Sequence, residues 1–253
     1  MGKNDLSRRN PEQRKARQKP PFAARIPGFL LVWTVILFAL AVAVYSSAGN
    51  GEQLARDMLR YAPPETTGLP EPEYEGVGQM TAGYLTGQET VFQYTFSDRT
   101  GNTYACFQPH EADHMADCRA LIMLTGLLRW IFGAAALLFA GMGIKLRRQR
   151  KTFATGMLRG LAAAGMVFFL LTVWAMIDFD GFFTAFHRVA FTNEGWLLDS
   201  RTDLLIRLMP IEFFVAQALR VLVWTAAAAL AALGAAKLIQ KDNRPQGLKN
   251  DGF

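Results

Sequence analysis

The chain has 253 residues, 51% of them hydrophobic, with 27 Lys and Arg against 21 Asp and Glu and a formal net charge of +6. Its apolar residues are gathered into long blocks, a pattern that excludes an ordinary soluble domain and points to the membrane. The positive charge is concentrated beside those blocks, so it speaks for topology and gives no support to nucleic-acid binding.

Residues 1–25 form a polar, Pro-bearing tail with eight Lys and Arg, expected to be disordered and cytoplasmic. No charged side chain lies between Arg25 and Glu52, and the run 26–46 is long enough to cross a hydrocarbon core of about 30 Å. A cleaved signal peptide is the competing reading, because small residues follow at Ser46, Ser47 and Ala48. The run is longer than a signal core of roughly 7 to 15 residues, which favours a first span.

Residues 47–119 read as a small mixed subdomain. A short helix is expected over 52–61, stopped by Pro63 and Pro64, then an acidic loop over 65–75 and a second helix over 76–85. Phe92, Tyr94 and Phe96 alternate with polar residues, 98–102 supply turn chemistry, and 103–107 return, which predicts a β-hairpin. From Glu111 a helix is expected to run straight into the second span, putting His114, Asp117, Cys118 and Leu121 on one face.

The second span is placed at 120–144, a loop at 145–152 and the third span at 153–177. Residues 178–209 interleave Phe179, Phe182, Phe183, Phe186, Phe191 and Trp196 with polar groups, as in a segment lying along a membrane surface. The fourth span, 210–239, is filled with Gly and Ala as packed membrane helices are, and a polar tail occupies 240–253. The fold class is therefore an α-helical integral membrane protein with four transmembrane helices and a small mixed α/β extracytoplasmic subdomain.

Orientation follows from Lys and Arg beside the spans. Residues 145–151 hold five and 237–253 hold four, whereas 46–119 carry four against eleven acidic residues and 178–212 three against six. Both termini are thus expected in the cytoplasm, with the acidic segments outside.

All three histidines fall on the outer side. His114 and His187 lie close to span ends; the plain alternative is that both anchor the fold through hydrogen bonds. His110 and His114 have a metal-compatible spacing, but no further ligand is evident and Pro109 is expected to keep His110 outside the helix, so no metal is assigned. Cys106 and Cys118 face an oxidising compartment, either as a disulfide or as two small buried side chains. Arg129 and Arg220 fall well inside their spans, a costly depth unless they are paired or face a polar cavity, and Glu212 is a possible partner for either. Arg159, near the cytoplasmic end of its span, is expected to snorkel. The chain has no Walker, Rossmann, Gly-x-Ser-x-Gly or zincin pattern, so neither nucleotide nor other cofactor is expected.

Taken together, the motifs resemble a family. His114-Met115-Ala116-Asp117 entering a span is similar to a pattern in the bacterial four-helix membrane proteins that include Lit, the lipoprotein intramolecular transacylase. So are Phe183-Thr184-Ala185-Phe186-His187, then Phe191, Asn193 and Trp196-Leu197-Leu198-Asp199, then Asp203-Leu204-Leu205-Ile206 and Pro210-Ile211-Glu212-Phe213-Phe214. The likeness runs from the first span to the fourth. Cys118 departs from it, standing where Val is expected, and Glu194-Gly195 lies where Asp and an aromatic are more usual.

The resemblance implies an enzyme of the bacterial plasma membrane that moves the sn-2 acyl chain of a diacylglyceryl-modified N-terminal Cys onto that residue's own α-amino group, giving a lyso-form lipoprotein. Its partners would be that lipoprotein and membrane lipid. It implies further that His187 and His114 carry the chemistry, His187 as general base. Asp117, Asp199 or Asp203 would fix a histidine tautomer, and Trp196 would help hold acyl chains. Two other readings stand beside it: a non-enzymatic membrane sensor or assembly protein with structural histidines, and a metal-dependent membrane hydrolase using both histidines and an Asp. A histidine pair in direct or water-bridged contact, with no metal, would favour transacylation, and one more than about 10 Å apart the non-enzyme.

Overall fold

The computed structural model describes residues 22–97 and 100–241. Both expected tails beyond these limits, and turn residues 98 and 99, lie outside the described residues.

A 3₁₀ turn, Phe22–Arg25, leads into α1 (Ile26–Ala48), with Pro27 in the first turn, where its missing N–H costs nothing. The subdomain follows as α2 (Gly51–Tyr61), α3 (Pro64–Thr67), α4 (Glu73–Thr86) and the strands β1 (Thr95–Ser97) and β2 (Thr103–Ala105). Then come α5 (Pro109–Lys145), α6 (Arg150–Ile177), α7 (Phe179–Ala190), α8 (Leu204–Leu208) and α9 (Ile211–Lys241). The four long apolar helices α1, α5, α6 and α9 have the length and composition to cross a membrane.

Helix α1 is the centre of the bundle, packing on α5, α6 and α9, while α9 also packs on α6. Val32 and Ile36 of α1 meet Phe153 and Met157 of α6 and Ala236 of α9 in a buried seam. Close approach of α1 and α6 depends on two glycines: a Cβ on Gly28 would lie 2.1 Å from the Phe153 carbonyl oxygen, and one on Gly156 2.0 Å from that of Arg25. This contact sets the start of α1 beside the start of α6, so Arg25 and the basic 145–151 connection share one end of the bundle.

At the opposite end the subdomain has its own core, in which Met58, Leu69, Tyr74, Val77, Phe107 and Leu208 are almost fully buried. Glu73–Glu75, expected in a loop, instead open α4, and Pro64–Thr67 form a turn of helix. Acidic residues suit a helix N-terminus, which accounts for the difference. The hairpin is antiparallel, with Phe96 opposite Tyr104, and shorter than expected. The Gln93 carboxamide takes the place of backbone pairing there: its Nε2 donates to the Phe107 carbonyl and its Oε1 accepts from the Phe107 amide. Phe92 and Phe107 consequently turn inward and pack at 4.6 Å.

The two intramembrane arginines are partnered as their depth requires, but not by Glu212. Arg220 makes a bidentate ion pair with Asp57 of α2, at 2.5 and 2.7 Å, and Gln217 and Gln53 donate to the same carboxylate. Arg129 stacks its guanidinium over the Tyr45 ring at 4.2 Å and donates to the Gly126 carbonyl. Glu212 pairs with neither: it is exposed beside an apolar crevice formed with Tyr61, Val215 and Leu219. At the start of α9 it is two turns from Arg220, too far along the axis for a direct bridge.

Candidate active site

The site is assembled where α5 rises out of the bundle. Pro109 sits at the first turn of α5, and Gln108 and Glu111 form a capping box, so the helix begins before His110. This corrects the expectation that His110 would lie outside the helix. Glu111 is fully buried; its Oε2 accepts from the Gln108 amide and its Oε1 from the Leu205 amide at 2.7 Å, tying the start of α5 to α8. His114 follows one turn later and is buried.

His187 comes from α7, which begins after a break at Asp178, whose side chain caps the new helix by accepting from the Gly181 amide. Among the residues of α7, His187 is the buried one. Its Nδ1 lies 2.8 Å from the Phe183 carbonyl oxygen. A carbonyl only accepts, so Nδ1 carries the hydrogen and, in the neutral ring, Nε2 carries the lone pair. Burial pushes the His187 pKa below its ordinary value, with the Phe183 hydrogen bond opposing it. The ring is therefore neutral, and available as a base, at neutral pH.

The two rings come together, with centroids 6.3 Å apart and planes tilted by 32°. Phe191 packs against both, at 5.2 Å from His114 and 5.5 Å from His187. Phe183 and Trp196 lie against His187 at 4.0 and 4.9 Å. Together these rings make a water-poor, apolar wall around two nitrogen bases. His114 is in reach of Cys118, with 3.6 Å from Nε2 to Sγ, and its Nδ1 is buried without a hydrogen-bond partner among the described residues.

The three aspartates expected to orient the histidines do other work. Asp117 accepts from the Asn193 side chain at 2.8 Å, Asp199 is paired with Arg201, and Asp203 bridges to His110 at 3.1 Å. Burial raises the Asp203 pKa, but hydrogen bonds from Thr202, the Asp199 amide and His110 outweigh it and hold the carboxyl below its usual range. These contacts, with Gln108 donating to the Thr202 carbonyl, stitch the 191–203 strap to the outer part of α5. They fix the backbone that carries Trp196 and touch neither histidine of the pair. His110 is part of this stitching.

Arg129, Arg220 and Glu212 have the bundle and crevice contacts given above, and no hydrogen bond joins them to the histidine pair among the described residues. Both cysteines are free, Cys106 buried and Cys118 partly so. Sequence reasoning missed Glu111 and the strap contacts. The spacing Gln108-x-x-Glu111 carried a signal for the first, and Asn193 stood in a quoted motif without an assigned partner.

The family described as lipoprotein intramolecular transacylase Lit matches residues 29–214. The fold is similar to the solved structure of the membrane-integral transacylase Lit from Bacillus cereus, at 15% identity and a TM-score of 0.67, covering 87% of this chain and 96% of that one. It is similar also to the Bacillus cereus protein with a histidine-to-arginine substitution, at 16% identity and TM-score 0.64, covering 87% and 92% of the two chains. The corresponding values for a histidine-to-alanine form are 16% and 0.64, with 87% and 94% covered. No curated protein sequence is similar enough to count as a match. A shared four-span fold, and a family match that runs from within α1 into the start of α9, make this chain a member of the Lit family of lipoprotein intramolecular transacylases, which are acyl-transfer enzymes of the membrane.

Proposed function

We propose that His187 and His114 are the catalytic pair for transfer of the sn-2 acyl chain of a diacylglyceryl-modified Cys to its own α-amino group. The observation that carries this is the pair itself: two buried rings from separate helices 6.3 Å apart, with the Nδ1–H of His187 held by Phe183. A distance well under about 10 Å suits a shared substrate atom and weighs against a non-enzymatic sensor or assembly protein with unrelated histidines.

The steps balance without a cofactor. The neutral amine attacks the ester carbonyl carbon, forming a C–N bond as the carbonyl electron pair moves to oxygen. His187 Nε2 takes the proton from the attacking nitrogen. When the tetrahedral adduct collapses, the bond to the sn-2 oxygen breaks, and His187 returns the proton to that oxygen. The product is an amide and a free sn-2 hydroxyl. An α-amine has a reference pKa of about 8, so a neutral imidazole is matched to removing its proton. Because amine and ester belong to one molecule, alignment alone supplies effective molarities of about 10⁵ M or more. His114 stabilises the charge that develops on the carbonyl oxygen.

The basic bundle end, carrying Arg25, Arg147, Arg148 and Arg150, supports an orientation with both termini in the cytoplasm and the pair at the outer leaflet of a bacterial plasma membrane. In that orientation α7 lies along the interface, and Trp196, Phe183 and Phe186 border the acyl chains of the lipoprotein and neighbouring lipid.

The test is mass spectrometry of lipoprotein N-termini from a diacylglyceryl-accumulating bacterium given this gene. Lyso-form product is expected with the wild type, and none with His187→Ala, His187→Asn or His114→Ala at equal membrane abundance. Loss of a general base costs about 10² to 10⁴ in rate, so a twofold loss would assign the histidines to structure instead.

A further inference from the structure

Cys118 lies one helical turn along α5 from His114, and the side chain at i+4 leans back over residue i. Its Sγ stands 3.6 Å from His114 Nε2. The other ring nitrogen of His114, Nδ1, is buried and has no hydrogen-bond partner among the described residues, in a residue only 9% exposed. Buried polar atoms in folded proteins are nearly always paired, so an orphan beside a second histidine calls for a partner that a water or a substrate atom can supply. Asp117, three residues along the same helix, is occupied by Asn193 and does not satisfy it.

We propose that Cys118 is a positioning residue: its S–H donates to His114 Nε2 and so fixes the tautomer in which Nδ1 carries the hydrogen and presents a donor to the substrate's ester carbonyl oxygen. The polarity of the contact follows from the groups. An imidazole nitrogen with a lone pair accepts well, whereas thiol sulfur is a weak acceptor, so S–H to N is favoured over N–H to S. With Nε2 acting as acceptor, a neutral ring must bear its hydrogen on Nδ1. The opposite tautomer would turn a lone pair toward the developing oxyanion and repel it. Transacylation needs one acceptor for the amine proton and one donor for the oxygen. His187, locked through Phe183, is the acceptor, and His114, locked through Cys118, is the donor. This deepens the proposed transacylase reading and rests on it.

The experiment combines two readouts on the full chain in nanodiscs. The first is ¹⁵N NMR of histidine-labelled protein, with the His114 signals identified by their loss in His114→Gln. Wild type should show the Nδ1–H form. Cys118→Val, which is close in volume but has no donor, should show a mixture, and Cys118→Ser should restore the wild-type pattern. The second is turnover of a synthetic diacylglyceryl lipopeptide. Loss of an oxyanion donor costs about 10² to 10³, and a partly correct tautomer retains a share of that, so kcat should fall about tenfold in Cys118→Val. KM should hold, and Cys118→Ser should recover to within about threefold. An Nε2–H form in the wild type, or Cys118→Val with unchanged tautomer and kcat, overturns the proposal. A wild type with the Nδ1–H form but no lyso product would instead sink the transacylase reading, leaving the tautomer lock standing.

Discussion

Removing either member of the Asp57–Arg220 pair should separate two costs that a surface ion pair would not show. The Asp57 carboxylate, 3% exposed, accepts from both Arg220 terminal nitrogens and from Gln217 and Gln53. Arg220→Ala leaves that carboxylate buried with only two amide donors. Breaking a buried pair in this way costs about 3 to 5 kcal/mol. Asp57→Ala leaves the guanidinium without its carboxylate at a depth inside the span, a loss of about 2.5 to 3.5 kcal/mol. In folding equilibria that smaller loss is about 70- to 400-fold. The assay is reversible unfolding of purified protein in mixed micelles by increasing SDS, followed by tryptophan fluorescence. The double variant should cost less than the sum of the singles by at least about 1.5 kcal/mol. Equal single losses below about 0.5 kcal/mol, with additive behaviour, would refute the argument that this pair clamps the subdomain onto α9.

Activity should rise with pH at the acid end, because the lowered His187 pKa places loss of the imidazolium below the usual 6.5, and rise again as the substrate amine deprotonates near a pKa of about 8; kcat/KM profiles check both limbs. Stability shares the first sign: with its folded pKa depressed, His187 binds fewer protons folded than unfolded between that value and 6.5, so unfolding free energy should fall as pH drops through this window, an effect His187→Asn removes. Gly28→Val or Gly156→Val should separate α1 from α6 and lower the yield of monodisperse protein severalfold by gel filtration, whereas Gly165→Ala, where a Cβ meets nothing within 4 Å, should not. Burial holds the Cys106 thiol up at about 11, so maleimide at pH 7 should leave it unlabelled in folded protein and react after unfolding.

The spans were legible because a bilayer forces about twenty apolar residues into one helix, and each of 26–46, 120–144, 153–177 and 210–239 falls within an observed helix to within one residue. The histidine pair was legible through motifs flanking the spans, though nothing local in the chain states that His114 and His187, 73 positions apart, face each other. Partners were the least legible part. Glu212 looked apt for Arg220 by nearness in sequence, yet the true partner, Asp57, is 163 positions away. A trace of it was available: Asp57 shares a helix face with Leu54, Met58 and Tyr61, the side that must turn inward. Pro109 is a helix starter and not the breaker its type suggests, since a first-turn proline forfeits no hydrogen bond. The aspartates followed the same pattern. Folding matched Asp117 to Asn193 and Asp203 to His110 where the strap crosses α5, and Asp199 to Arg201 within the strap itself.

Helix α5 runs unbroken for 37 residues, about 55 Å, so His114 is a fixed mark on the same rod that crosses the membrane. His187 hangs from a different rod, beyond the break at Asp178 that separates α7 from α6. The gap between the rings is thereby a vernier that reads the axial offset of two spans. The distance between the rings thus follows the relative position of these two helices along their axes.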